Sequence, residues 1–140
     1  MLSNQTIMHR FIKAFVTNDT PACQGEDGSM YAPQDKGQIG CAVGMFLSLE
    51  DAREVDDVLE GDSTVRKMSQ DMPEIYDKYF TPNQLMFLED LQLAHDSMPL
   101  TFGWKKPGSI GHGNMKSSLV NRLRSICRDH ELNIPRALDV

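Results

Sequence analysis

Apolar side chains recur at three-and-four spacing near the start of the chain, at Ile7, Met8, Phe11, Ile12 and Phe15. That periodicity marks one buried face of a helix. Ser3 or Asn4 can cap it, and Asn18-Asp19-Thr20-Pro21 stops it. From Ala22 to Gly40 the periodicity dissolves into Gly, Asp and Gln punctuation. Met30-Tyr31-Ala32 and Gln38-Ile39-Gly40 read there as two short strands joined by a Pro33-to-Gly37 turn. The apolar run Cys41–Leu47 suits a short buried helix, since Ala, Met and Leu dominate it. A second short helix is expected from Leu49 to Leu59, with Gly61 as a C′ residue after Glu60. Short helical pieces follow at Val65–Ser69 and Pro73–Phe80.

The clearest element runs from Thr81 to Ser97. Thr81 caps it, Pro82 takes the first helical position, and Leu85, Leu88, Leu91, Gln92 and His95 share one stripe. Residues 98–113 then read as a loop with four glycines, two prolines and the single tryptophan. The last helix, Asn114–Leu132, buries Met115, Leu119, Leu123, Ile126 and Cys127 and exposes Lys116, Arg122, Arg124 and Arg128. The tail leaves through Pro135. The expectation is an α+β fold, mainly α, with about five helices and a small β-hairpin in one compact domain spanning 1–140. A hairpin of that size is marginal alone and must lean on the helices.

Length and composition fit this reading: 140 residues, 40% hydrophobic and 24% charged, suit a globular domain and not a disordered chain. No apolar run approaches the roughly 18 residues a membrane span requires, and the N-terminus lacks the pattern of a signal peptide. A cytoplasmic protein without membrane association is therefore expected. Cys23, Cys41 and Cys127, an odd number without a C-x-x-C pair, are expected to be reduced thiols. Charge is uneven. Residues 1–100 carry 17 acidic and 7 basic side chains, and residues 101–140 carry 3 acidic and 7 basic. A chain so divided, and at −6 overall, has no uniform basic field for non-specific binding to duplex nucleic acid.

Three constellations could carry chemistry. Cys41, just after Gly40 at a helix start, could be activated as a thiolate, with His95 as base and Asp96 as orienter. The simpler reading makes Cys41 a small core residue and His95-Asp96 the end of a helix. Gln92 and His95, three apart on a leucine-rich stripe, are costly to bury without partners. They could face a ligand or fix how two helices meet. The third is the loop before the last helix. Trp104 could stack on a base, and Lys105, Lys106, Gly111, His112 and Asn114 could cradle a phosphate at the helix N-terminus. It lacks P-loop or G-x-G-x-x-G spacing, and an ordinary loop with Trp104 plugging a small core accounts for the same residues. No His/Cys/Asp/Glu grouping has metal-ligand spacing, and no cofactor is expected.

Gly40-Cys41-Ala42-Val43-Gly44, Glu60-Gly61 and Leu91-Gln92-Leu93-Ala94-His95-Asp96 together resemble a pattern in small, mostly uncharacterised bacteriophage and bacterial proteins. That group carries G-C-A-[IV]-G, E-G and L-Q-x-x-H-D in this order, and the similarity spans roughly residues 30–130. Met45–Leu49 departs from the group, where the run usually ends in Pro and an acid, and the 103–114 loop is long. The resemblance implies a phage-encoded accessory protein for host takeover or anti-defence, working in the host cytoplasm. Three functions follow as expectations. The first is a non-enzymatic binder that sequesters a small phosphorylated, nucleotide-like ligand through Gln92, His95 and the 103–114 loop. The second is an inhibitor of a host defence protein, presenting the acidic 50–62 segment. The third is a thiol enzyme using Cys41, His95 and Asp96.

Overall fold

A computed structural model of the chain describes residues 1–18, 24–25, 28–29, 31, 41–59, 64–102, 108 and 110–139. At 24, 25, 28, 29, 97–102 and 112 it describes the backbone alone. Helix α1 spans Asn4–Ile12, and Ser3 Oγ accepts the Thr6 N–H at 3.2 Å as its cap. The chain then widens into a π-helical turn, Lys13–Thr17, closed by the Asn18 N–H on the Lys13 carbonyl at 2.9 Å. Such a turn places one extra residue in the helical round. Ala14, Phe15 and Val16 are all buried there.

Gly44–Phe46 is a single 3-10 turn, so the helix expected over Cys41–Leu47 is confined to its middle. Helix α2 spans Leu49–Val58, its first turn held by Ser48 Oγ accepting the Asp51 N–H at 3.1 Å. Helices α3, Val65–Asp71, and α4, Pro73–Tyr79, form a close pair; Thr64 caps the first and Pro73 opens the second. Thr81 donates its N–H to Gln84 Oε1 at 2.9 Å, the reach-back bond of a capping box. The Gln84 amide also donates to the Leu2 carbonyl at 2.8 Å, which ties this turn to the start of α1.

Helix α5 runs from Leu85 to Phe102, five residues past the expected end at Ser97. Pro99 removes one ladder N–H, yet the helical backbone continues through it to Phe102. Helix α6 spans His112–Asp129 and packs along α5. Its end is a Schellman turn: the Leu132 N–H bonds the Cys127 carbonyl at 2.8 Å and the Glu131 N–H bonds that of Arg128 at 3.3 Å. Glu131 takes φ 56° there. The expected bounds, Asn114 and Leu132, were therefore two residues late at the start and three late at the end. His130 Nε2 meets Asp90 Oδ2 at 2.7 Å and clamps the end of α6 to α5.

The buried apolar side chains form one cluster, with Phe11, Phe87, Leu88, Leu91 and Leu123 fully enclosed. Each contributes about 1.5–3 kcal/mol by leaving water. The α+β expectation is overturned. Among the described residues there are six α-helices, about three quarters of those residues are helical, and no β-hairpin of the expected kind is found. The only paired extended backbone among the described residues is Gln24–Gly25 antiparallel to Gly28–Ser29, two residues a side and at other positions than the expected hairpin. Of the expected strands, Tyr31 is a bend and the rest lies outside the described residues.

Candidate functional site

Two regions of the fold bring together residues that the sequence singled out. The first is the end of α5 that carries Gln92, His95 and Asp96. The Asp96 carboxylate accepts from Gln92 Nε2 at 3.1 and 3.2 Å and meets His95 Nδ1 at 2.9 Å. His95 is fully buried and lies edge-on to Phe15 at 5.1 Å between centroids. Gln92 is also buried, and its Oε1 finds no hydrogen-bond partner among the described residues. The polar pair on the leucine stripe is thus organised by a neighbouring carboxylate, one turn on from Gln92.

Cys41 is distant from these residues in sequence. It is fully buried, and its Sγ accepts the Gly44 N–H at 3.3 Å. The link is Tyr31. Its phenol is pushed well above the ordinary tyrosine pKa, first by burial and then by the negative charge that Cys41, Asp96 and Asp56 can carry. Cys41 and Asp96, one from each motif and 55 residues apart, thus both lie close enough to this buried phenol to act on it electrostatically. Asp56 Oδ1 accepts the Tyr31 N–H at 2.8 Å and fixes this bend to α2. Gly44 sits directly under the Tyr31 backbone, so that a Cβ there would fall on the Tyr31 carbonyl. The sequence pattern suggests a strand at Tyr31 and places Asp56 in the acidic 50–62 segment. An aromatic residue isolated in a Gly/Pro-rich stretch was the signal for the first; nothing local marked the second.

The second region is the start of α6. Gly111 precedes the helix with φ 88°, a left-handed conformation that glycine adopts without strain. Asn114 is exposed, and the His112 side chain lies outside the described residues. Trp104, Lys105 and Lys106 lie outside them entirely, as do Glu60, Gly61 and Cys23. A groove of about 460 Å³ opens beside the first turns, lined by Gly113, Lys116, Ser117, Val120, Asn121 and Arg124. These residues form two adjacent i, i+4 rows, 113/117/121 and 116/120/124, so they share one face. Lys116 and Arg124 had read as members of an exposed basic face, but both are only partly exposed. Arg124 donates through Nε to the Leu138 carbonyl at 3.0 Å and pairs with Asp139 at 3.2 Å, which fixes the guanidinium beside the groove.

The remaining sequence candidates fall as follows. Cys41 and Cys127 are buried and form no disulfide among the described residues, and burial pushes the Cys127 thiol up. On α2, Glu50, Glu54 and Asp57 are exposed, whereas Asp51 turns inward. Tyr79 and then Lys78 donate to its carboxylate, at 2.5 and 2.9 Å, and hold its pKa below the usual aspartate value. Among the described residues there is no group of three or more His, Cys, Asp or Glu placed to hold a metal ion. No helix among them is long and apolar enough to cross a membrane. Compared with protein-family models, with curated proteins and with solved structures, the chain matches none.

Proposed function

We propose that this chain is a binding protein whose ligand is a small phosphorylated, nucleotide-like molecule held at the start of α6. The observation that carries this reading is the groove lined by Gly113, Lys116, Ser117, Asn121 and Arg124. The first N–H groups of any helix lack intrahelical partners, and the aligned peptides place positive charge there. In this 18-residue helix the first turn contains no acidic side chain to occupy them. Gly113 leaves its backbone uncovered, with nothing within contact distance of the place a Cβ would take. Lys116 adds charge and Ser117 and Asn121 add neutral donors, a set that recognises phosphate oxygens, while Arg124 is engaged with Leu138 and Asp139. The wider setting, a phage accessory protein acting in host takeover or anti-defence, is supported by the sequence resemblance.

The test is a thermal-shift screen of mono-, di- and cyclic nucleotides and ADP-ribose derivatives, since a ligand that binds only the folded state raises its melting point. Lys116→Ala should weaken the best compound by about tenfold, the loss of one partly shielded charge-assisted bond. If no phosphorylated compound shifts the protein at millimolar concentration, the reading fails. A second reading, an inhibitor of a host protein through the acidic face of α2, is favoured by the exposure of Glu50, Glu54 and Asp57. Its test is joint charge reversal of Glu54 and Asp57. Asp56 must be spared because it holds Tyr31.

A further inference from the structure

A second concavity lies away from α6, between α1, the Gly44–Phe46 turn and the end of α4. It has a volume of about 300 Å³ and is lined by Leu2, Arg10, Phe46, Lys78, Tyr79 and Phe80, with Met1 at its edge. Three aromatic side chains line it. Phe80 is fully buried and forms the floor, while Phe46 and Tyr79 remain half-exposed as walls. The Tyr79 and Phe80 rings lie 6.2 Å apart, tilted by 46°. Tyr79 cannot swing, because its hydroxyl donates to Asp51 Oδ2 at 2.5 Å and accepts the Ser48 N–H at 3.1 Å. The wall is therefore held in place before any ligand arrives, which removes an ordering cost that a flexible ring would impose.

The two side-chain cations at the cleft differ. Lys78 is paired with Asp51 at 2.9 Å and lies over the Tyr79 ring, 5.7 Å from its centroid. That carboxylate balances its charge. Arg10 is exposed on the last turn of α1 and forms no ion pair among the described residues. The cleft thus combines a rigid aromatic wall with one guanidinium whose charge is unbalanced locally. Its volume is at the lower end of the roughly 300–1,000 Å³ of ligand sites, enough for a planar ring system with a single acidic group.

We propose that this cleft binds a planar aromatic anion, its ring against Phe46 and Tyr79 and its carboxylate or phosphate on Arg10. The site is separate from the α6 groove and depends on none of its residues. Titration calorimetry with four probes tests it: benzoate, adenosine 5′-monophosphate, adenosine and inorganic phosphate. Both aromatic anions should bind, and adenosine and phosphate should bind at least about tenfold more weakly, because each lacks one half of the recognition. Arg10→Ala, on an exposed position, should weaken the aromatic anions by about tenfold without moving the melting temperature. Phe46→Leu keeps an apolar wall and should weaken them several-fold. The proposal is overturned if no aromatic anion binds at millimolar concentration, if adenosine binds as tightly as its monophosphate, or if Arg10→Ala leaves affinity unchanged. Binding of the monophosphate that is lost in Lys116→Ala and retained in Arg10→Ala would assign it to the α6 groove and likewise overturn this site.

Discussion

Gly44 offers the sharpest test of how the buried region is built. A Cβ at this position would land on the carbonyl of Tyr31, with the Tyr31 Cα and carbonyl carbon both 2.6 Å away. Those are backbone atoms, and neither side can retreat freely. Tyr31 is pinned by the Asp56 carboxylate at 2.8 Å, and its ring is buried. Gly44 donates to Cys41 Sγ and accepts the Leu47 N–H at 3.1 Å. Gly44→Ala must therefore separate the 3-10 turn from the Tyr31 bend. Overpacking of this kind costs about 1–3 kcal/mol, and losing the Asp56–Tyr31 bond adds about 1 kcal/mol or more. For a chain of this length that total lowers the melting temperature by about 5–15 °C. Circular dichroism melts and urea titrations at unchanged m-value would measure it. Gly113→Ala is the matched control. Nothing crowds its Cβ, it is helical, and alanine there should stabilise by about 0.4–1 kcal/mol. If Gly44→Ala melts within about 2 °C of the parent, a shift worth less than about 1 kcal/mol, the close approach of the two segments is wrong.

Three further outcomes are expected. Glu131→Gly, at the left-handed C′ position of the α6 Schellman turn, should stabilise by about 1 kcal/mol, read as a rise in urea midpoint. Because Tyr79 and Lys78 depress the Asp51 pKa, its contribution is full above the unfolded aspartate value. It is lost as pH falls through the lower folded one. The stability gap between parent and Asp51→Asn should therefore hold at neutral pH and close only below about pH 4; a gap independent of pH down to about 2 would contradict the pairing. Cys41→Ser should cost about 1–2 kcal/mol by placing a hydroxyl in the core. Cys41 and Cys127 should resist alkylation until the protein is denatured, and rapid selective labelling of native Cys41 would instead revive a thiol enzyme.

Helices were the legible part of this chain because their information is local. The stripe Ile7, Met8, Phe11, Ile12 with Ser3 ahead of it, and Thr81-Pro82 ahead of Leu85, Leu88 and Leu91, combine period, cap and first-turn proline within a few residues. Their ends were less legible. Pro99 did not stop α5, and α6 ended on a Schellman turn with Glu131 where glycine would have signalled it. The hairpin was misjudged because short apolar runs between glycines carry no long-range pairing information. The sites depended on tertiary structure still more. Gln92, His95 and Asp96 could be placed on one helix from spacing alone, but bringing Asp96 and Cys41 within electrostatic reach of Tyr31 required the packed fold. Acidic residues that looked alike in sequence were sorted by their three-dimensional partners: Asp51 to Tyr79 and Lys78, Asp56 to the Tyr31 backbone, Asp57 to solvent. Periodicity reports which face of a helix is apolar. Only the packing of helices against one another decides which polar groups are buried together, because that is set by contacts between residues distant in the chain.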